Sequence, residues 1–158
     1  MKQICFFASC WLLSLAASLA LAGEVDRSIC EKLSVTYFAK PLRQTIDEFA
    51  ARSLPDQYAI YICGNQYMHP PALHLAAPFA AQGAPVASFL EMQLSATSSD
   101  LVVRDILRVF AEMKRQHTYD VQANESLMSL IKKKAAAVSS RHWRDYIANV
   151  VSQLVSRP

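Results

Sequence analysis

The sequence predicts an all-α protein, a stack of short antiparallel helix hairpins closed by one disulfide. Three observations predict it. Apolar residues recur three and four positions apart from Phe38 to Leu154, the spacing of one helix face. Side chains that start helices stand just before several of these runs: Ser53, Thr97-Ser98-Ser99 and Asn124. Prolines and glycine fall between the runs, at His69-Pro70-Pro71 and Gly83-Ala84-Pro85. Tyr58-Ala-Ile-Tyr-Ile62 has a β-like composition, but the capping signal before it favours helix.

Taken in order, residues 23–33 are polar and read as irregular apart from Cys30. Phe38, Leu42, Ile46, Phe49 and Ala50 form the first stripe, with Pro41 suited to a first turn, so a helix is expected from about Lys40. Ser53-Leu54-Pro55-Asp56 starts the next, running to about Met68 with Tyr58, Ile62 and Asn65-Gln66 on successive turns. His69-Pro70 breaks the chain, because the residue before proline avoids helical geometry. Pro71 is expected to open a helix that Pro78 kinks and that Gly83 ends as a left-handed cap.

Pro85 starts a helix carrying Val86, Phe89, Leu90 and Leu94. The tight turn at Gly83 makes it roughly antiparallel to the helix before. Beyond Ser99, Val102, Ile106, Val109, Phe110 and Met113 form a core stripe that Val103 and Leu107 widen. Arg104, Asp105, Arg108, Glu112 and Arg115 read as a solvated polar face, with Asp105–Arg108 and Arg108–Glu112 as surface pairs. Asn124 caps a helix through Leu127, Leu130, Ile131, Ala135 and Val138. Its Lys132-Lys133-Lys134 run spans three faces, so one lysine must lay its stem along apolar surface. Ser139 or Ser140 starts the last helix, with Trp143, Ile147, Val150, Val151 and Leu154 inward.

The N-terminus sets the compartment. Met1-Lys2-Gln3 precedes an uncharged stretch over residues 4–22 that ends in Ala20-Leu21-Ala22. This reads as a secretory signal peptide cleaved after Ala22. The apolar run is long enough for a retained anchor, but the Ala-x-Ala site favours cleavage. Cys10, after Phe7-Ala8-Ser9, sits too early for a lipoprotein site. The remainder divides into an N-terminal extension, 23–33, and one helical domain, 34–158. Cys5 and Cys10 leave with the signal, and Cys30 and Cys63 pair as a disulfide in an oxidising compartment. Closing that loop is worth about 3–4 kcal/mol. The expected location is periplasmic or secreted, which argues against nucleic acid as a ligand.

Charge is unevenly placed. Residues 23–99 carry five basic and seven acidic side chains, and residues 100–158 carry ten and six. The second half could face an acidic partner or an anionic surface; a solvated helix face accounts for it as well.

Motifs for chemistry are missing. His69, His74, His117 and His142 are scattered without metal-ligand spacing. No Gly-x-Ser-x-Gly occurs, and three glycines leave no phosphate-cradling loop. The reading is a non-enzymatic protein with no metal and no cofactor. One cluster stands out: Tyr58, Tyr61 and Tyr67 recur over successive turns, with Gln66 and His69 beside them. Tyr61, Gln66, Tyr67 and His69 form the candidate binding surface, against a plain reading as a half-buried core rim.

Pro70-Pro71, Pro78, the Gly83-Ala84-Pro85 turn and the string Val102-Val103-Arg104-Asp105-Ile106-Leu107 together resemble a HEAT or armadillo-type helical repeat array, over about Ala72 to Val138. Ile106 and Leu107 stand where a smaller residue is common in such helices. The resemblance implies a scaffold that binds an unknown protein partner of the cell envelope, with no catalytic residues to carry over. In size, signal and single disulfide the chain is also similar to small secreted immunity proteins that neutralise envelope-targeted toxins. The third expectation is a small-ligand or enzymatic domain whose site lies near Tyr61–His69.

Overall fold

A computed structural model describes residues 24–156; the signal-peptide reading of residues 1–22 lies outside the described residues. Among the described residues there are eight α-helices, one 3-10 turn and no strand. No helix among them is long and apolar enough to cross a membrane.

Helix α1, Arg27–Thr36, corrects the irregular reading of the N-terminal segment. Asp26 caps it, its carboxylate accepting the Ser28 N–H at 2.7 Å. Arg27 and Glu31 pair one turn apart. Cys30 is its single buried residue, so no apolar stripe announces this helix. It is held from outside, by the Cys30–Cys63 disulfide and by packing on α3.

Helix α2, Leu42–Ala50, begins after Pro41 as expected, but the stripe is shifted. Thr45 and Phe49 face inward and Leu42 is exposed. Tyr37 explains the shift: its buried ring lies under α2 and its hydroxyl donates to the Thr45 carbonyl.

Helix α3, Leu54–Gln66, starts at the expected Ser53 cap, whose hydroxyl accepts the Asp56 N–H. Gln57, Tyr58 and the whole run Ile60–Asn65 are buried. The chain wraps this helix on nearly all sides. The connection after it folds back, so that the Ala72 N–H donates to the Gly64 carbonyl at 2.9 Å. A side chain at Gly64 would collide there with Ala72 and with Phe38, which is why this helix carries a glycine.

Pro71 does not open the following helix. A 3-10 turn at Leu73–Leu75 leads into α4, Ala76–Ala80. Pro78 therefore lies in the first turn of α4, where a missing N–H costs nothing, and produces no mid-helix kink. Gly83 takes the expected positive φ of 65°, but its ψ of −132° lies outside the left-handed helical region, and it also precedes α5, Ala84–Ala96.

Helix α6, Asp100–Gln116, is the hub: it packs on α3, α4, α5, α7 (Glu125–Ala136) and α8 (Arg141–Val155). Its predicted stripe is buried, with Val103 and Leu107 widening it as expected, and so, against expectation, is Asp105. His117 closes α6 in a left-handed conformation, φ 55°. Asp100 serves two helices: it sits in the first turn of α6 and accepts the Ser140 N–H at 2.7 Å at the start of α8. Asn124 caps α7 as expected. Of the three lysines, Lys134 reaches back, donating to the Ser95 and Thr97 carbonyls at the end of α5. Lys114 does the same for α8, donating to Gln153 and Leu154.

The core is centred on aromatic edge contacts between neighbouring helices. Phe79 meets Phe49 at 5.6 Å and Tyr61 at 5.9 Å between ring centres. Each of these rings is fully buried, worth about 1.5–3 kcal/mol for a side chain of this size before ordering costs.

Candidate functional site

The candidate surface residues separate once the chain folds. Tyr61 is fully buried and offers no surface; its hydroxyl donates to the Asp105 carbonyl at 3.0 Å. Burial drives that hydroxyl far above the ordinary phenol range, and the nearby Asp105 adds to it. Gln66 is half-buried and points across to α6, its amide donating to Asp105 Oδ2 at 3.1 Å. Tyr67 and His69 are exposed at the end of α3. Tyr61 and Gln66 both end on Asp105, because the hub helix α6 packs onto α3.

That contact creates a different site. A cleft of about 240 Å³ opens where the C-terminal part of α3, the 70–73 connection, α6 and α8 meet. Asn65 and Asp105 lie at its base, and Leu73 and Trp143 line it. Asp105 is 1% exposed. The polar-face reading of this residue is therefore corrected: α3 reaches Asp105 through Gln66, and α8 takes up the neighbouring Arg104 and Arg108 through Trp143 and Tyr146.

Asp105 is held from both sides. Arg104 donates to Oδ1 through Nε at 2.8 Å and through Nη2 at 2.6 Å. Gln66 takes Oδ2. Burial pushes the Asp105 carboxyl up to about 6, partly opposed by the Arg104 charge and the Gln66 hydrogen bond. Arg104 in turn lies over the Trp143 ring at 4.4 Å, a cation–π contact worth about 0.5–2 kcal/mol.

Arg108 does not pair as the helix spacing suggests. Neither Asp105 nor Glu112 makes an ion pair with it. Its guanidinium reaches α8 instead, donating to the Tyr146 hydroxyl at 3.3 Å. Glu112 bonds Arg115 and Gln116, and Arg115, its first partner, holds its carboxyl below the usual range.

Asn65 is the anomaly of the site. It is 6% exposed, and neither polar atom of its amide makes a hydrogen bond. It lies one turn beyond Tyr61, close enough to bias that hydroxyl, yet without a bond of good geometry. Leaving a buried amide unmatched costs about 1–3 kcal/mol. Sequence reading places Asn65 on a turn of α3 and Asp105, Arg104 and Arg108 on a polar face, but assigns none of them to a site. The available signal was the pairing of Tyr61 with Asn65, four apart on α3, which places two polar groups on one helix face.

A larger hollow of about 410 Å³ near Met128 and Lys132 is open to solvent. One of its lining groups, Gln122, is already spent on the Leu154 carbonyl, and no unpartnered buried polar atom lies there among the described residues. The cleft above Asp105 is therefore the better candidate. Among the described residues no three His, Cys, Asp or Glu side chains gather to hold a metal.

Comparison with known proteins finds no matching family model, no matching curated protein and no matching solved structure.

Proposed function

We propose that this is a non-enzymatic binding protein of an oxidising compartment, periplasmic or extracellular, that engages a protein partner through the cleft above Asp105. The observation that carries the reading is Asn65, a buried amide with no partner, lining an open cleft between helices. A group of this kind is retained at a cost unless something outside the chain completes it.

Binding is favoured over catalysis by the state of the ionisable groups. Both oxygens of Asp105 are occupied by Arg104 and Gln66, so it is poorly placed to move a proton. The other charged groups lining the cleft are Arg104 and Arg108, and arginine does not exchange protons near neutral pH. The disulfide supports the compartment, since such bonds persist where thiols are not kept reduced. A helical stack that presents a recessed polar patch with an aromatic wall suits a scaffold role.

Site-directed photocrosslinking in the secreting cell tests this. A benzophenone side chain replaces Leu73 at the cleft or Met92, exposed on α5. A discrete protein adduct is expected from position 73 and none from position 92, and Arg108→Gln should weaken it. Equal labelling from both positions, or none from 73, overturns the reading.

A further inference from the structure

The unmet hydrogen-bonding groups of the cleft define what would complete it. The Asn65 amide carries two N–H donors and one carbonyl acceptor, none of them in a hydrogen bond of good geometry, although the Tyr61 hydroxyl lies near it. Arg108 has five N–H donors, of which one is engaged, with Tyr146. No carboxylate lies within ion-pair distance of Arg108 among the described residues, whereas Arg104 is satisfied by Asp105 and Trp143. Counting the lining groups, two arginines against one aspartate leave the cleft one positive charge in excess. Leu73 and Trp143 supply an apolar wall. The space of about 240 Å³ is below the usual drug-sized pocket, which starts near 300 Å³, and suits a ligand of one or two residues.

We infer that the cleft binds an N-acylated α-amino acid carboxylate, the chemistry of a polypeptide C-terminus: Arg108 takes the carboxylate, Asn65 pairs with the adjoining amide, and an apolar side chain lies against Leu73 and Trp143. The reasons are geometric and chemical. An arginine fork matches a carboxylate. A primary amide is complementary to a peptide unit, which carries one donor and one acceptor. A terminal residue brings both groups within a few bonds of each other. An internal peptide segment lacks the carboxylate, and a bare anion would leave Asn65 unmatched.

This inference rests on the cleft being the recognition site, but its test is separate. Acetyl-Gly-Gly-Leu as the free acid, the same peptide with a C-terminal amide, and N-acetylleucine are titrated into the purified secreted protein. Affinity is read by calorimetry, and the Asn65 side-chain amide is followed by 15N NMR. The free acid is expected to bind at least tenfold more tightly than the amide and to shift the Asn65 resonances. Arg108→Gln should remove most of that preference, and because Arg108 is only half-buried the variant should fold. Tighter binding of the peptide than of N-acetylleucine assigns the ligand to a polypeptide terminus; equal binding assigns the same chemistry to a free acylated amino acid. Equal affinity for acid and amide, silent Asn65 resonances, or an unaffected Arg108→Gln variant each overturns the inference. Rim crosslinks without acid preference would sink only the ligand chemistry. Acid-selective binding without crosslinks would sink only the protein-partner reading.

Discussion

The hydroxyl of Tyr61 on α3 donates to the backbone carbonyl of Asp105 in the middle of α6, 3.0 Å away and out of contact with solvent. This bond sets the spacing of the two helices whose meeting forms the cleft. It also brings α3 close enough for Gln66, just over one turn further on, to reach the Asp105 carboxylate.

Removing only that hydroxyl should be mild. In Tyr61→Phe the Asp105 carbonyl keeps its acceptor role within the α6 ladder, so no buried acceptor is orphaned. The expected loss is about 1 kcal/mol, read as a lower urea midpoint with an unchanged slope. A loss above about 3 kcal/mol, the range of ring deletion, would mean that the bond does more than join two helices.

Stability should fall as pH rises through the Asp105 titration. Its carboxyl titrates near 6 when folded and near 3.8 when unfolded, so the folded state holds the extra proton between those values. The protonated form is the more stable one, and up to about 3 kcal/mol is lost on going from pH 3.8 to above 6. Arg104 and Arg108 from α6 are the charges that face this group, with the hydroxyls of Tyr61 on α3 and Tyr146 on α8 nearby. Asp100 and Glu112 have lowered values and act in the opposite sense, losing stability as pH falls below 3.8 and 4.5 respectively. Between pH 5 and 6 His74, whose imidazole burial holds below its usual value, acts in the opposite sense and gains stability as pH rises. Asp105 is therefore read from the difference between two curves: the parent's urea midpoints should fall relative to those of Asp105→Asn as pH rises through this window, and parallel curves would contradict the assignment.

Gly64→Ala should destabilise although alanine is the better helix former. Propensity favours the substitution by about 1 kcal/mol. The added Cβ, however, would lie 2.7 Å from Ala72 Cβ and 2.8 Å from Phe38 Cζ. Ala72 is pinned by its hydrogen bond to the Gly64 carbonyl and cannot swing away. Overpacking of this kind costs about 1–3 kcal/mol, so a net loss is expected in thermal melts. A rise in melting temperature would show that the 70–73 connection yields easily.

The Cys30–Cys63 bond closes a separation of 33 residues and joins α1 to α3. Its removal in Cys30→Ala/Cys63→Ala should cost about 2–4 kcal/mol, with α1 the first element to lose amide-exchange protection. Equal protection of α1 in the parent and the double variant would place its anchorage in packing alone.

Legibility followed the source of each element's stability. Helices α3, α5, α6, α7 and α8 were readable because each carries its own start signal or stripe, as with Ser53, Pro85 and Asn124. Helix α1 was not, because one buried residue and a covalent bond hold it. Pro78 was misplaced because a 3-10 turn ahead of α4 shifted the helix start past Pro71. The tyrosines of α3 were recognised as a cluster, but which of them reaches solvent depends on what covers them.

By itself, the sequence determined the all-helical class, the cysteine pair, the main caps and the apolar stripe of α6. These follow from local rules: side-chain periodicity, backbone geometry at proline, and the matching of unpaired N–H groups. Only the tertiary structure decided that Asp105 is buried, that Arg108 turns to Tyr146, and that Asn65 is left without a partner. Each depends on α3 and α8, distant in the chain, both packing against α6. A helix wheel shows which residues share a face; which neighbour covers that face, and so which polar groups remain unmatched, is fixed by packing between distant segments.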